Sequence, residues 1–169
     1  MLCVIAKLDN AATEKLEALR KRALAESEQI KPLYGHITVA TYTGDNEALF
    51  IQSCKGLLLD ISAFDIMYKK VEVLKETSII VATPEKSDKL RSIHQRIAQR
   101  YDDLDVWTKG DSWYPHTTLY YGPQADLDSI CQNLAGCFSP FTAKICKIEF
   151  SRVVTNGYEI IDSIDLALR

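Results

Sequence analysis

The chain has 169 residues, of which 47% are hydrophobic and 25% charged, and its formal net charge is −3. This composition is typical of one globular domain, and the acidic balance argues against a broad electrostatic grip on nucleic acid, which needs a basic face. No apolar run approaches the roughly 20 residues of a membrane-spanning helix, and the first residues lack the pattern of a secretory signal, so we expect a cytoplasmic protein.

Five cysteines are present, an odd number, and none forms a CxxC or Cys/His metal-binding pattern. Such cysteines are typical of small apolar residues in a reducing compartment. The sequence therefore predicts no structural metal and no cofactor. It indicates no obligate protein partner either, and it does not fix the oligomeric state.

The first half of the chain has the pattern strand, helix, strand, helix, and then two paired strands. Asp9 or Asn10 can cap the first helix, whose apolar residues recur at helical spacing. A turn-rich stretch then leads into the second strand. The elements are predicted at Leu2–Leu8, Ala12–Leu24, His36–Tyr42, Glu47–Lys55, Leu57–Tyr68 and Val71–Leu74.

The second half repeats that order of elements. Thr83 and Pro84 predict the start of a helix, with Thr as its cap and Pro in its first turn. A polar stretch from Tyr101 to Ser112 predicts a long loop, Gly122-Pro123 a break, and Asn156-Gly157 the turn of a last hairpin. The strands are predicted at Ser78–Ala82, His116–Tyr121, Phe141–Val154 and Tyr158–Leu168, with helices around Leu90–Tyr101 and Leu127–Leu134.

Each half carries one copy of a four-residue pattern, His36-Ile37-Thr38-Val39 and His116-Thr117-Thr118-Leu119, 80 residues apart. Because side chains alternate along a strand, His and Thr at i and i+2 point to the same face. Two such pairs facing one cleft would offer an acid, a base and two hydroxyl donors. That set of groups suits attack on a phosphodiester without a metal ion.

With both motifs in place, the chain resembles the 2H phosphoesterase superfamily, in the branch called 2′-5′ RNA ligase or cyclic phosphodiesterase. The stretches that carry the resemblance run in the same order through most of the chain: Val4–Asp9, Gly35–Ala40, Leu90–Ile97 and Trp113–Leu119. The resemblance implies an α+β fold of two pseudo-symmetric lobes, each an antiparallel sheet with flanking helices. It implies one bilobal domain over residues 1–169, with both HxT motifs in the cleft between the lobes.

The predicted catalytic residues are His36, Thr38, His116 and Thr118. One histidine acts as general base and the other as general acid, while the threonines donate to the phosphate oxygens. Histidine pKa values near 6.5 would let both protonation states coexist near neutral pH, which predicts a bell-shaped rate profile with its maximum between about pH 5.5 and 8. The pseudo-symmetry leaves open which histidine does which job.

The resemblance implies a small RNA-type substrate, such as a 2′,3′-cyclic phosphate, a 2′-5′ linked nucleotide or an RNA end, and also reverse ligation. Two alternatives stay open. One is a non-catalytic module of the same fold that binds a nucleotide or an RNA end. The other is a metal-dependent hydrolase using both histidines with Asp45 or Asp111.

Other residues near the motifs receive weaker assignments. Regular alternation would put Tyr42 and Tyr120 on the catalytic face, where their rings could stack a base, and would turn Tyr121 into the core. Trp113 is expected to be a lid or a packing residue. The remaining histidine, His94, is expected on a surface or half-buried face of a helix. The two side chains that could supply a cation for a phosphate, Lys7 and Arg152, are expected to be solvated surface charges.

Overall fold

The computed structural model describes residues 1–24, 32–121, 127–154 and 157–168, and folds them into seven strands and four α-helices. The elements are β1 (Leu2–Leu8), α1 (Asn10–Ala23), β2 (His36–Tyr42), α2 (Glu47–Leu57), β3 (Phe64–Val73), β4 (Ile79–Pro84), α3 (Asp88–Ala98), β5 (Thr117–Tyr121), α4 (Leu127–Cys137), β6 (Phe141–Val154) and β7 (Gly157–Asp165). The α+β class is confirmed. The run β1-α1-β2-α2-β3 is followed by β4-α3-β5-α4-β6, so both halves have the same order of elements. Within the described ranges, no helix is long and apolar enough to cross a membrane.

All strand pairs named here are antiparallel, and they form one sheet in the order β2-β1-β6-β3-β4-β5, with β7 on β6. The long strand β6 joins the two predicted lobes. Its first part pairs with β3, and its later part pairs with β1 on one side and β7 on the other. The last strand of each half therefore sits in the lobe of the other half, since β1 pairs with β6 while β4 pairs with β3.

The helices are exchanged in the same way. Helix α3 packs against β2, and α1 packs against β5 and α4. Each motif strand is therefore covered by a helix from the other half of the chain. One continuous apolar core results, which includes the fully buried side chains of Leu16, Ile37, Leu90 and Phe150.

Several predicted boundaries were wrong. Helix α3 begins at Asp88 with Ser87 as its cap, whose side chain accepts from the backbone N–H of Leu90. The predicted cap, Thr83, and the following Pro84 stay extended in β4, because that strand remains paired with β3 as far as Pro84. Earlier in the chain, one strand, β3, replaces the two predicted strands Leu57–Tyr68 and Val71–Leu74. It begins only at Phe64, and α2 extends to Leu57. The predicted break at Gly122-Pro123 and residue Asn156 lie outside the described residues.

Both motif strands carry a β-bulge at the same place. Relative to their partners, β2 has one extra residue at Val39 and β5 has one at Leu119, in each case directly after the motif threonine. A bulge shifts the alternation of side chains by one residue. Residues beyond the bulge therefore point to the faces opposite to those that a regular strand predicts.

The two ends of the sheet, β2 and β5, are joined by hydrogen bonds from side chains to the backbone. The hydroxyl of Thr117 donates to the carbonyl oxygen of His36 at 2.8 Å, and the indole N–H of Trp113 donates to the carbonyl oxygen of Thr38 at 2.9 Å. Because a hydroxyl carries one proton, the buried Tyr68 must donate to Thr117, at 2.5 Å. The sheet therefore curves so strongly that its two end strands come into contact. The two motifs lie on these strands and are brought together with them.

We predict that Thr117→Val lowers the free energy of unfolding by about 1–3 kcal/mol or more, because it leaves the buried Tyr68 hydroxyl and the His36 carbonyl without their partner. Chemical denaturation with urea measures this. Thr118→Val is the matched control, since the neighbouring Thr118 is exposed and its loss is expected to stay within about 0.5 kcal/mol. Equal losses in the two variants would contradict the link between the strands.

Candidate active site

The two motif histidines are oriented by the same contact. The Nδ1 of His36 lies 2.7 Å from the carbonyl oxygen of Tyr34, and the Nδ1 of His116 lies 2.7 Å from the carbonyl oxygen of Tyr114. A carbonyl only accepts, so each ring donates from Nδ1. In the neutral ring Nε2 is then the basic nitrogen, and among the described residues nothing hydrogen-bonds to it in either ring. The site presents two equivalent nitrogens that can take or give a proton.

The strand contacts bring residues of both motifs to one cleft. Thr38 and His116 line the same groove, and the His116 ring lies close enough to His36 to affect its titration electrostatically. Thr118, two residues beyond His116, is exposed and precedes the bulge, so it shares the face of His116.

Burial of the rings lowers the pKa of both histidines. For His36 the pKa falls to about 4, mainly through burial and further through the nearby charges of Lys7 and His116, while the bond to the Tyr34 carbonyl opposes the change. For His116 burial also lowers the pKa, again opposed by its carbonyl contact. Both rings are therefore neutral in the empty cleft at pH 7, which differs from the unshifted values expected from the sequence.

A tyrosine two residues before each histidine forms a matched contact with a glutamate. The Tyr34 hydroxyl donates to Glu149 on β6, and the Tyr114 hydroxyl donates to Glu72 on β3 at 2.5 Å. Each of these carboxylates comes from the other half of the chain. The bonds fix the tyrosines whose carbonyl oxygens orient the two motif histidines, so they add one layer of supporting residues to the candidate site.

These tyrosines and glutamates were not predicted, although two repeated patterns in the sequence indicate them. The repeated motif is five residues long, Tyr-x-His-x-Thr, at 34–38 and 114–118. The glutamates belong to a second repeat, Phe-x5-Lys-Val-Glu at 64–72 and Phe-x5-Lys-Ile-Glu at 141–149, 77 residues apart. The internal repeat is therefore visible in the sequence beyond the HxT motifs.

Lys7 lies beside His36 rather than on an open surface. The two residues are partners in the β1–β2 register, so their side chains share a face. The ammonium of Lys7 lies 3.7 Å from the centroid of the Tyr34 ring, and Tyr158 contacts the His36 ring edge-on at 4.9 Å. The other candidate cation, Arg152, pairs with Leu2 at the far end of β1 and contacts Glu47 in an ion pair.

His94 is buried, with 3% of its surface exposed, so the prediction of a surface or half-buried position was wrong. Its ring nitrogens reach the carbonyl oxygens of Val39 at 3.0 Å and Gly110 at 3.1 Å. Its ring also stacks on the ring of Trp113, with 4.2 Å between the centroids. The indole N–H of Trp113 donates to the Thr38 carbonyl. His94 therefore supports the bulge of β2 and the loop before β5, and Trp113 is a packing residue rather than a lid.

The two tyrosines predicted to stack a base do not lie on the face of the motif histidines. Tyr42 is 6% exposed and stacks on Phe50 in the core at 4.2 Å, and Tyr120 packs against the core while Tyr121 is exposed. The cause is the bulge in each strand, which reverses the alternation beyond Val39 and Leu119. Both predictions assumed regular strands, and both are corrected here.

Metal ligation receives no support from the geometry. Within the described part of the chain, no three His, Cys, Asp or Glu side chains come together as a metal site would require. Asp45 is exposed in the loop after β2, and the Asp111 side chain lies outside the described residues.

Comparison with known proteins gives two findings. A family model for the 2′-5′ RNA ligase superfamily matches residues 8–156. The crystal structure of E. coli LigT complexed with NADP+ has the same fold, with a TM-score of 0.58 over 99% of this chain and 97% of that chain, at 11% sequence identity. No curated protein sequence matches.

The lowered histidine pKa values predict how stability depends on pH. Between pH 6.5 and about 4 the unfolded chain binds protons at these rings that the folded protein does not, so the free energy of unfolding falls as the pH falls through this window. His36→Asn removes the group whose pKa falls to about 4, while the amide Nδ2 of Asn can still donate to the Tyr34 carbonyl in place of the ring Nδ1. Urea denaturation at several pH values should give a shallower decline for the variant. Parallel declines for the variant and the unmodified protein would contradict the assignment.

Proposed function

The chain belongs to the 2′-5′ RNA ligase superfamily, and from that premise we propose that it is a metal-independent phosphodiesterase of the 2H type. Its substrate is a small phosphodiester that includes a ribose 2′-oxygen, such as a 2′,3′-cyclic phosphate or a 2′-5′ linkage. The LigT fold neighbour, crystallised with the dinucleotide NADP+, supports a nucleotide as ligand.

One observation carries the proposal: both motif histidines use Nδ1 to hold a backbone carbonyl in the same way, which leaves both Nε2 atoms for chemistry. A histidine that only supports the fold uses its nitrogens for protein contacts, as His94 does. Two matched and available imidazoles in one cleft are what general acid–base attack on phosphorus requires. A module that only binds its ligand has no need of this arrangement.

The surroundings of the two rings suggest separate roles. Lys7 lies beside His36, and its positive charge favours the neutral form of that ring. Burial is the cause that lowers the pKa of His116, and Lys7 does not contribute to it. A phosphate anion that binds therefore raises the pKa of His116, and the Lys7 charge does not oppose this rise. We therefore assign His36 as general base and His116 as general acid.

In the proposed step, His36 Nε2 takes a proton from water while the water oxygen bonds to phosphorus. The bond from phosphorus to the ribose oxygen breaks in line, and His116 Nε2 gives its proton to that oxygen. Afterwards His36 is protonated and His116 is neutral, and exchange with solvent restores the starting state. With a ribose hydroxyl as nucleophile in place of water, the same groups would carry out ligation.

Thr38 and Thr118 donate hydrogen bonds to the non-bridging oxygens, on which charge accumulates as the nucleophile adds. Lys7 supplies the positive charge that neither motif contains, at the side of the phosphate nearest His36. No arginine is required by this arrangement.

We predict that His36→Ala and His116→Ala each remove nearly all turnover of a nucleoside 2′,3′-cyclic phosphate, while each variant still binds it. The rate of the unmodified protein should not change with a strong chelator. Because both pKa values lie below 6.5 in the empty cleft, kcat/KM should have a bell-shaped profile with its maximum below pH 6.5. The maximum of kcat should lie at higher pH, because the bound anion raises both pKa values.

Product separation by chromatography across pH 4 to 9 provides these measurements. A rate that vanishes in chelator and returns with a divalent cation would favour the metal-dependent alternative. Binding that persists without turnover in the unmodified protein would favour the binding module.

The threonines give a separate prediction. Thr38→Val and Thr118→Val should each lower kcat by roughly 10²–10³-fold, the usual effect of removing one donor from a preorganised oxyanion site, while the pH limits stay nearly unchanged because neither hydroxyl moves a proton. Steady-state kinetics at several pH values tests both statements. A rate loss below threefold in both variants would exclude the proposed contact with phosphate.

A further inference from the structure

A groove of about 820 Å³ extends from the motif residues Thr38 and His116 along the outside of the cleft. It is bordered on one side by the β3–β4 turn, residues 72–79, and on the other by the loop 105–114. This volume lies within the range of sites that hold one small molecule. Since the groove opens on the His116 side, it would hold the part of the substrate that carries the leaving oxygen.

The ionisable side chains along this groove are mostly acidic. Among the residues that line it there are three carboxylates, Glu72, Glu76 and Asp105, and one lysine, Lys75. The ammonium of Lys75 lies 3.3 Å from the Glu76 carboxylate in an exposed ion pair, and the ammonium of Lys70 lies 2.7 Å from the Glu72 carboxylate, so neither lysine is a cation without a carboxylate partner. No arginine lines the groove, so it has no row of cations that could follow a polynucleotide backbone.

An exposed aromatic ring stands at the same groove. Trp107 is 62% exposed, and its backbone N–H donates to the Asp105 side chain at 2.9 Å, which holds this turn of the loop. Trp113, the other indole in the groove, is already engaged by His94 and Thr38. Trp107 therefore offers a free face for a planar group.

We propose that this groove selects a mononucleotide with a single phosphodiester charge over the end of an RNA chain, and that Trp107 stacks its base. The proposal rests on the proposed function and narrows its substrate class. Affinity for a polynucleotide comes mainly from cations that neutralise successive phosphates, whereas here additional phosphates would approach carboxylates. Stacking on one indole can supply roughly 1–3 kcal/mol, which is enough to position a single base without backbone contacts.

The test compares adenosine 2′,3′-cyclic phosphate with a ten-nucleotide RNA that ends in the same cyclic phosphate and base. The expected kcat/KM is at least tenfold higher for the mononucleotide, and the RNA rate should rise with salt as repulsion is screened. Glu76→Lys should raise the ratio of the RNA rate to the mononucleotide rate several-fold. Glu14→Lys, the same charge change on the exposed face of α1, should not change the ratio.

Trp107→Ala should lower kcat/KM for the mononucleotide about 10–100-fold, in line with the loss of one stacked base. Trp107→Phe should keep most of the rate, and Val106→Ala, at the exposed neighbouring residue, should keep all of it. An RNA substrate that is used equally well or better, with a rate that falls steeply with salt, would overturn the proposal, as would a Trp107→Ala variant with unchanged kcat/KM.

Binding to the His36→Ala variant, measured by calorimetry, separates this inference from the proposed function. Tighter binding of the mononucleotide than of the RNA supports the selectivity even if the unmodified protein turns over neither ligand, in which case only the proposed hydrolysis fails. Tighter binding of the RNA overturns the selectivity whatever the result for turnover.

Discussion

The hydroxyl of Thr117 is the contact on which the arrangement of the site depends. A seven-stranded antiparallel sheet would ordinarily keep its two end strands far apart, and here those strands are the ones that carry the motifs. Thr117 accepts from the buried Tyr68 and donates to the backbone of His36, so one side chain connects β3, β5 and β2. It occupies the variable position of the second HxT motif. The residue between the histidine and the threonine of one motif thereby holds the opposite motif in place.

The exchange of elements between the halves gives both histidines equivalent support. Each half supplies the tyrosine that orients its own imidazole, and the other half supplies the glutamate that holds this tyrosine. Neither half can therefore build a complete site alone. The symmetry ends at the surroundings of the rings, where Lys7 and Tyr158 accompany His36 and an acidic groove accompanies His116. This difference gives two chemically identical side chains different electrostatic surroundings, as the proposed separate roles require.

Most of the fold and the centre of the candidate site could be predicted from the sequence, because local sequence patterns indicate both. Hydrophobic periodicity marks the elements, and the repeated histidine and threonine mark the site. The wrong placements of Tyr42, Tyr120, Thr83 and His94 come from interactions between distant segments. Sequence alternation assigned Tyr42 and Tyr120 to the cleft, but a bulge depends on pairing with another strand and leaves no local mark. Thr83 has the chemistry of a helix cap, yet pairing with β3 keeps it extended. His94 is polar and lies on a helix, and only the packing of α3 on β2 buries it.

The position of β6 has a consequence for the order in which the protein assembles. Strand β1 needs β6 along one of its edges, and almost the whole chain separates the two in sequence. During synthesis the first motif strand can pair with β1 early, but the other edge of β1 stays open until residues 145–152 have left the ribosome. The strands β3, β4 and β5 can pair with one another earlier, because they follow one another closely in the chain, but the other edge of β3 also stays open until residues 141–145 of β6 are made. Both lobes therefore close only when β6 has been made, and the edge of β1, the strand that is made first, stays unpaired for longest.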